Sequence, residues 1–313
     1  MTILVAIQSW DPAPWIERFR RLGGGRTIID AREPFDASSI RYAAVWKPQP
    51  GLLGTLPNLK GIFNLGAGVD ALLGDKTLPD VPVFRIVNPD LTQRMTEYTV
   101  LQVLFHMRQM PAYLALQQAR RWEPLDQPGA SDLRVGIMGM GVLGRDSAEV
   151  LMRLGFKVAG WSRSRQEMPG LEAFAGEAEL PAFLARTDIL VVLLPLTETT
   201  RGILNRDLFA RLARDGALGG PVVINAGRGG LQVEADILAA LNNGTLRGAS
   251  LDVFEPEPLA SSSPLWTHPK AVITPHVAAD STPEALVSCL LADIAAFEAG
   301  RKLPNEVDRR TGY

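Results

Sequence analysis

Three stretches of this 313-residue chain carry side chains suited to proton transfer or anion binding, and each lies at or just past a short apolar run. Arg228 sits in Asn225-Ala-Gly-Arg-Gly-Gly, directly after Val222–Ala226. An arginine between glycines has no helix face to lie along, and its planar fork fits a carboxylate through two parallel hydrogen bonds. Alone, it also reads as a surface loop arginine. His276 follows Val272–Thr274 in Thr-Pro-His-Val. Histidine is the usual group to give or take a proton near neutral pH, although a single one at a strand end equally reads as a satisfied polar group. Asp252-Val-Phe-Glu255-Pro-Glu257-Pro258 offers three carboxylates on a proline-stiffened segment. A carboxylate beside a histidine raises its pKa and fixes its tautomer, which suits a general acid. The plainer alternative is a solvated acidic loop. His106, inside a long helical run, and His268, in a Trp-Thr-His-Pro turn, read as structural.

A fourth stretch points to an anion of another kind. Arg134–Gly144 reads RVGIMGMGVLG: a buried-strand run, then Gly139-Met-Gly141-Val142-Leu143-Gly144, then apolar residues at helical spacing. In that order the glycines have distinct tasks. Gly139 permits the tight turn, Gly141 lets a pyrophosphate approach the backbone, and Gly144 lets the helix pack against the strand. A dinucleotide site that prefers NAD carries Asp or Glu about 20 residues further on, gripping the ribose 2′-OH. Here Ser162-Arg163-Ser164-Arg165 stands in that place, and hydroxyls with two arginines suit a 2′-phosphate. The expected cofactor is NADPH, with NADH also possible.

These groups need strands whose carboxyl ends meet along one edge. Ile3–Ile7, Thr27–Asp30, Ala43–Trp46, Gly61–Leu65 and Val83–Val87 read as strands alternating with helices or turns, one helix being capped by Asp11. Leu65-Gly66-Ala67-Gly68 is an exposed, glycine-rich strand end in this first unit. Leu91–Gln118 reads as one long helix. A second α/β unit follows from Leu133, with strands at Lys157–Trp161, Asp188–Leu194, Pro221–Ala226, Gly248–Val253 and Ala271–Thr274. The amphipathic run Pro283–Gly300 closes the chain. If it crosses back to the first unit, that unit is discontinuous. The expected fold is α/β, with two Rossmann-like or flavodoxin-like domains. The nucleotide-binding domain (99–284) is inserted into a substrate domain made of 1–98 and 285–313.

Composition excludes several classes. With a net charge of −2, nothing points to nucleic acid or an anionic membrane. A 46% hydrophobic content is ample for two cores, yet no run approaches the roughly 20 residues of a membrane span. The single cysteine, Cys289, forbids an intrachain disulfide, and with only three histidines a dedicated zinc site is not expected. The short N-terminal apolar run lacks a basic region, so the expected location is cytoplasmic.

Taken together, GMGVLG, the Asn225–Gly229 arginine loop, DVFEPEPL, and Pro264-Leu-Trp-Thr-His-Pro leading to Thr274-Pro-His-Val-Ala resemble the D-isomer-specific 2-hydroxyacid dehydrogenase family over essentially the whole chain. Within it the chain is most similar to bacterial glyoxylate/hydroxypyruvate reductases. The resemblance implies reduction of small 2-oxo acids in a cleft between two α/β domains, by an enzyme usually dimeric. It makes Arg228 the arginine for the substrate carboxylate and keto oxygen, Glu257 rather than Glu255 the acidic partner, and His276 the acid/base. Asp252 would contact the nicotinamide carboxamide. Leu194, Pro195, Ala226 and Gly227 would join Arg228 and His276 along the cofactor. Backbone N–H groups of Leu65, Gly66, Ala67 and Gly68 would hold the substrate carboxylate. Trp46 would line the pocket or else belong to the core. Two features depart from the commoner NAD-using members: the missing ribose carboxylate, and Gly227 where many carry Ala. Other readings are a non-catalytic NAD(P)H-sensing protein of the same fold, and an NAD-dependent D-2-hydroxyacid dehydrogenase of other substrate range.

Overall fold

The computed structural model describes residues 1–312. Runs of Val, Ile, Leu and Ala buried on both faces pair most readily as parallel strands covered by helices. In the first part of the chain these are β1 (Thr2–Ile7), α1 (Ala13–Leu22), β2 (Thr27–Asp30), β3 (Ile40–Trp46), β4 (Gly61–Asn64), α2 (Asp70–Leu73) and β5 (Val83–Phe84). The five strands form one parallel sheet in the order β2-β1-β3-β4-β5, with Val5 opposite Asp30 on one side and Ala44 on the other. That order reverses direction between β1 and β3, so the carboxyl ends of these two strands flank a crevice suited to ligands. The N-cap of α1 is Pro12, not Asp11 as expected; Asp11 stands one residue earlier, its Oδ1 accepting from the Ala13 N–H at 3.0 Å, and α1 turns Trp15, Ile16 and Phe19 inward.

The expected single helix over Leu91–Gln118 is two, α3 (Pro89–Met107) and α4 (Met110–Gln118). Gln109 between them has φ 53°, a left-handed conformation that ends one helix, and Pro111 sits in the first turn of the next, where its missing N–H costs nothing. The second part of the chain then runs β6 (Arg134–Met138), α5 (Val142–Arg153), β7 (Lys157–Ser162), β8 (Glu172–Ala175), α6 (Gly176–Ala185), β9 (Ile189–Val192), α7 (Arg206–Ala210), β10 (Val222–Asn225), α8 (Glu234–Asn243), β11 (Gly248–Leu251) and β12 (Ala271–Ile273). Its seven parallel strands lie in the order β12-β11-β10-β9-β6-β7-β8, which reverses between β6 and β9. Two apolar layers cover the sheet, one including Phe183, Phe209 and Leu251, the other Val135, Val191 and Phe156.

The last helix, α9 (Pro283–Glu298), packs on α1, and Arg26 meets Glu298 at 2.6 Å. Phe297 of α9 sits edge-on to Phe84 at 5.1 Å between centroids. The chain thus divides into a first unit of Met1–Leu91 with the stretch from Ser281 onward, and a second of Thr92–Asp280. These boundaries fall a few residues before the expected 98/99 and 284/285. The first breaks inside α3, and the loop leading into α9 belongs to the first unit. Among the described residues, no helix is long and apolar enough to cross a membrane.

Candidate active site

The glycine turn after β6 is built by contact. Gly139 has φ +106°, and a Cβ on it would lie 2.7 Å from the Leu193 carbonyl oxygen. A Cβ on Gly144 would lie only 2.0 Å from the Gly139 oxygen. Gly141 differs: beyond its own chain neighbours, no protein atom lies within 4 Å of where its Cβ would be. The space beside it is open, and Val142 and Leu143 begin α5 there, with N–H groups at the positive end of a twelve-residue helix. This is the shape a pyrophosphate requires. Leu194 and Pro195 follow β9 across the reversal point, and Ala226 and Gly227 follow β10. A Cβ on Gly227 would come within 2.9 Å of the Leu194 oxygen, so glycine suits this close pair of strand ends.

At the end of β7 the four polar residues have separate environments. The Ser162 hydroxyl donates to the Ser164 carbonyl at 2.8 Å, closing a tight turn. Arg163, Ser164 and Arg165 are exposed. Arg165 donates to the Ala173 carbonyl and pairs with Glu179, whose other oxygen accepts from the Ala175 N–H at 2.6 Å. Both arginines are therefore exposed at the end of β7, with the Arg165 guanidinium already held by acceptors from β8 and α6.

Arg228, Glu257 and His276 all follow strands of the second sheet. Arg228 is half-buried, its Nη1 donating to the Gly227 carbonyl at 2.6 Å. Asn225 shapes the loop beneath it: its amide donates to the Arg228 carbonyl at 3.1 Å and to Gln232 Oε1 at 2.8 Å. Two of the three candidate carboxylates find different partners. Glu255 pairs with Arg201 at 2.5 Å, whereas both Glu257 oxygens lie 2.9 Å from His276 Nδ1. A carboxylate only accepts, so Nδ1 carries a hydrogen and the free Nε2 points away from Glu257. The Phe254 N–H donates to Glu257 Oε1 at 3.2 Å and steadies it.

Asp252 is buried and holds the histidine loop. Its carboxylate accepts from the Thr274 hydroxyl at 2.6 Å and from the N–H groups of Val277 and Ala278 at 3.0 Å. Its carbonyl accepts from the His276 N–H at 2.7 Å. That grip maintains His276 at φ 56°, a strained backbone for a residue with a Cβ. Tyr98 of α3 extends the chain of contacts, its hydroxyl 2.9 Å from that of Thr274, and burial holds its phenol above the ordinary range. The carboxamide contact implied for Asp252 would come on top of this structural task.

His106 is structural in a specific way. Ser250 Oγ gives its only hydrogen to Gln102 at 2.7 Å, so His106 Nε2 donates to Ser250 at 2.8 Å. Burial, with Arg247 nearby, pushes this imidazole down to about 4. Cys289 is half-buried, and burial raises its thiol.

In the first unit the glycine-rich end of β4 is not exposed as expected. Leu65 and Gly66 are buried, Ala67 and Gly68 half-buried. The reason is Trp46: a Cβ on Gly66 would stand 2.0 Å from Trp46 Cζ3. Trp46 in turn stacks on Trp10 at 4.4 Å, and Trp10 on Trp15 at 5.3 Å, so it belongs to an aromatic stack at the reversal point of this sheet. Asn64, buried at the end of β4, donates through Nδ2 to the carbonyls of both Gly66 and Gly68 at 2.8 Å.

The sequence profile of the D-isomer specific 2-hydroxyacid dehydrogenase NAD binding domain matches residues 100–278. The chain belongs to this family. A glyoxylate/hydroxypyruvate reductase A from Escherichia fergusonii is 45% identical over the whole of both chains, and one from Klebsiella pneumoniae 42%. Among solved structures, an NADPH-dependent glyoxylate/hydroxypyruvate reductase from Sinorhizobium meliloti, in complex with NADP and sulfate, is 50% identical and superposes with a TM-score of 0.96, covering 100% of this chain and 99% of that one. A probable 2-hydroxyacid dehydrogenase from Rhizobium etli, in complex with NADP, HEPES and L(+)-tartaric acid, is 46% identical with a TM-score of 0.95 and the same coverage.

Sequence reading of this family member missed Asn64, Tyr98 and Thr274. Asn64 and Thr274 are polar residues at the ends of apolar runs (Ile-Phe-Asn-Leu, Val-Ile-Thr-Pro), and only that misplaced polarity marks them; Tyr98, within Thr-Glu-Tyr-Thr, carries no such signal.

Proposed function

We propose that the chain reduces small 2-oxo acids with NADPH, glyoxylate to glycolate and hydroxypyruvate to glycerate. One observation carries this reading: the His276–Glu257 pair, fixed in tautomer and direction, shares the carboxyl edge of one sheet with the glycine turn and the Arg228 loop. When bound along that edge, the reduced nicotinamide supplies a hydride to the substrate carbonyl carbon. Gly139–Gly144 and the start of α5 hold the pyrophosphate, and Ser162–Arg165 take the 2′-phosphate. The arginine loop and Leu194–Pro195 line the rest. Arg228 binds the substrate carboxylate and stabilises the oxygen as negative charge develops on it. His276, protonated on both nitrogens, keeps Nδ1–H on Glu257 and delivers the Nε2 proton to that oxygen. Glu257 stabilises the imidazolium beforehand and holds the neutral ring in the same tautomer afterwards. Gly66–Gly68 of the first unit supply backbone N–H groups to the carboxylate, an assignment supported by the family resemblance; Leu65, expected to join them, gives its N–H to the Val45 carbonyl at 2.8 Å instead.

The test is NADPH absorbance followed with glyoxylate and with hydroxypyruvate, and the same with NADH. Both acids should consume NADPH, with kcat/KM at least roughly tenfold above that with NADH, as expected when charge-assisted bonds to a 2′-phosphate are available. No consumption with any 2-oxo acid would sink the reading.

We also propose a homodimer working in the cytoplasm. Helix α4 has no buried residue, Leu101 and Leu114 of α3 and α4 are 58% and 44% exposed, and Trp122 is fully exposed. Sedimentation of the purified chain should give twice its mass, and a monomer at micromolar concentration would remove this proposal.

A further inference from the structure

We infer that Asn64 is the positioning residue of the substrate carboxylate cradle, acting by fixing the two peptide planes, Gly66–Ala67 and Gly68–Val69, that bracket the Ala67–Gly68 peptide. The inference rests on the reading of Gly66–Gly68 as that cradle. Asn64 ends β4, is buried, and sends its side chain back along the loop that follows. Its Nδ2 donates to the carbonyl oxygens of Gly66 and Gly68, both at 2.8 Å. Both partners only accept, so the atom facing them is the amide nitrogen and the side-chain orientation is determined.

Fixing two carbonyls fixes their peptide planes. The Ile86 N–H adds a second bond to the Gly66 oxygen at 3.3 Å. The aromatic face of Trp46 closes the other side, since any Cβ at Gly66 would collide with it. Among the described residues, none accepts from the N–H groups of Gly66, Ala67 or Gly68. Each fixed plane carries the N–H of the following residue, so these bonds orient the Ala67 and Val69 N–H groups directly and restrict the Ala67–Gly68 peptide held between them, leaving loop donors able to hold an anion. A flexible glycine loop would otherwise have to be ordered by the substrate itself, at the expense of affinity. Asn64 does this in advance, without touching the substrate.

Steady-state kinetics of Asn64→Asp and Asn64→Ala test this. Aspartate keeps the shape but sets an acceptor against two carbonyl acceptors; alanine removes both bonds. Each should raise KM for glyoxylate and for hydroxypyruvate by the same factor, roughly tenfold or more, because two hydrogen bonds in the loop are lost. Aspartate should have the larger effect. The kcat should fall by less than about threefold and NADPH affinity should hold, since neither the proton donor nor the dinucleotide turn is altered. A merely structural role gives the opposite pattern: fewer active molecules, hence lower kcat at unchanged KM. That pattern, or unchanged kinetics in both variants, overturns the inference. Should Asn64→Asp not fold, Asn64→Ala carries the same test, normalised to the active fraction by NADPH titration. A wild-type enzyme that consumes no NADPH with any 2-oxo acid removes the functional reading itself. An active wild type with unmoved KM in the variants removes only the role of Asn64.

Discussion

The two units each end a central strand in a glycine-rich turn, Gly139–Gly144 after β6 and Leu65–Gly68 after β4, but the turns are held by different means. In the second unit the backbone holds itself: Gly139 and Gly144 approach so closely that a Cβ on the latter would lie 2.0 Å from a carbonyl oxygen. In the first unit side chains hold the backbone, through the Asn64 amide and the Trp46 ring. The helices that follow differ as well, twelve residues for α5 and four for α2. A long helix offers its own terminal N–H groups to a phosphate, so the turn need only stay out of the way. A short one offers little, and the loop peptides must be oriented by something else.

Substitutions can break this contrast, beginning with the largest expected effect. Gly144→Ala forces a methyl against backbone, not against a flexible side chain. It should destabilise the second unit by about 3 kcal/mol or more and abolish NADPH binding, seen in thermal melts and fluorescence titration. Acid should also act on the second unit, because all three histidines lie there. His106 titrates near 4 in the fold but near its ordinary value, about 6.5, when unfolded. The unfolded chain therefore binds more protons between those values. The His106 contribution should cost on the order of 3 kcal/mol as pH drops through that window and then level off, while carboxylates held low in the fold, such as Asp30 of the first unit, carry the loss to lower pH. Urea titrations at several pH values check this, and His106→Gln should lose about one proton's share of the slope.

Gly66→Ala presses on the Trp46 ring, a side chain and not backbone, so it should cost about 2 kcal/mol. It should raise KM for the 2-oxo acid while leaving NADPH affinity unchanged. Gly141→Ala is the mildest. No protein atom is near, so melting should not move, yet the methyl stands where the pyrophosphate passes. NADPH affinity should drop about tenfold, or roughly 1.4 kcal/mol. Equal melting temperatures for Gly141→Ala and Gly144→Ala would break the account of the turn.

The contrast also explains what the sequence could reveal. A turn that depends on missing Cβ atoms is written as glycines at fixed spacing, so Gly139–Gly144 was legible. A turn that depends on one asparagine is written as a single polar residue, and Asn64 passed for the end of an apolar strand. Arg228, Glu257 and His276 could be read because each follows a β-rich run, but the partner of His276 could be told from Glu255 only by resemblance. In the structure the two glutamates separate because Arg201 takes Glu255. Strand β8, Glu-Ala-Phe-Ala, lies at the sheet edge with no fully buried residue and few β-formers, so it had no pattern to detect. The break at Gln109 was hidden by helix formers on both sides, with Pro111 the sole hint.

The central claim is that His276, directed by Glu257, donates the proton to the substrate oxygen. The most direct test is kcat for glyoxylate in His276→Ala, with NADPH affinity measured on the same protein. The account predicts a fall of about 10²-fold or more in kcat at unchanged NADPH affinity. A kcat within about threefold of wild type, with NADPH still bound, would contradict it.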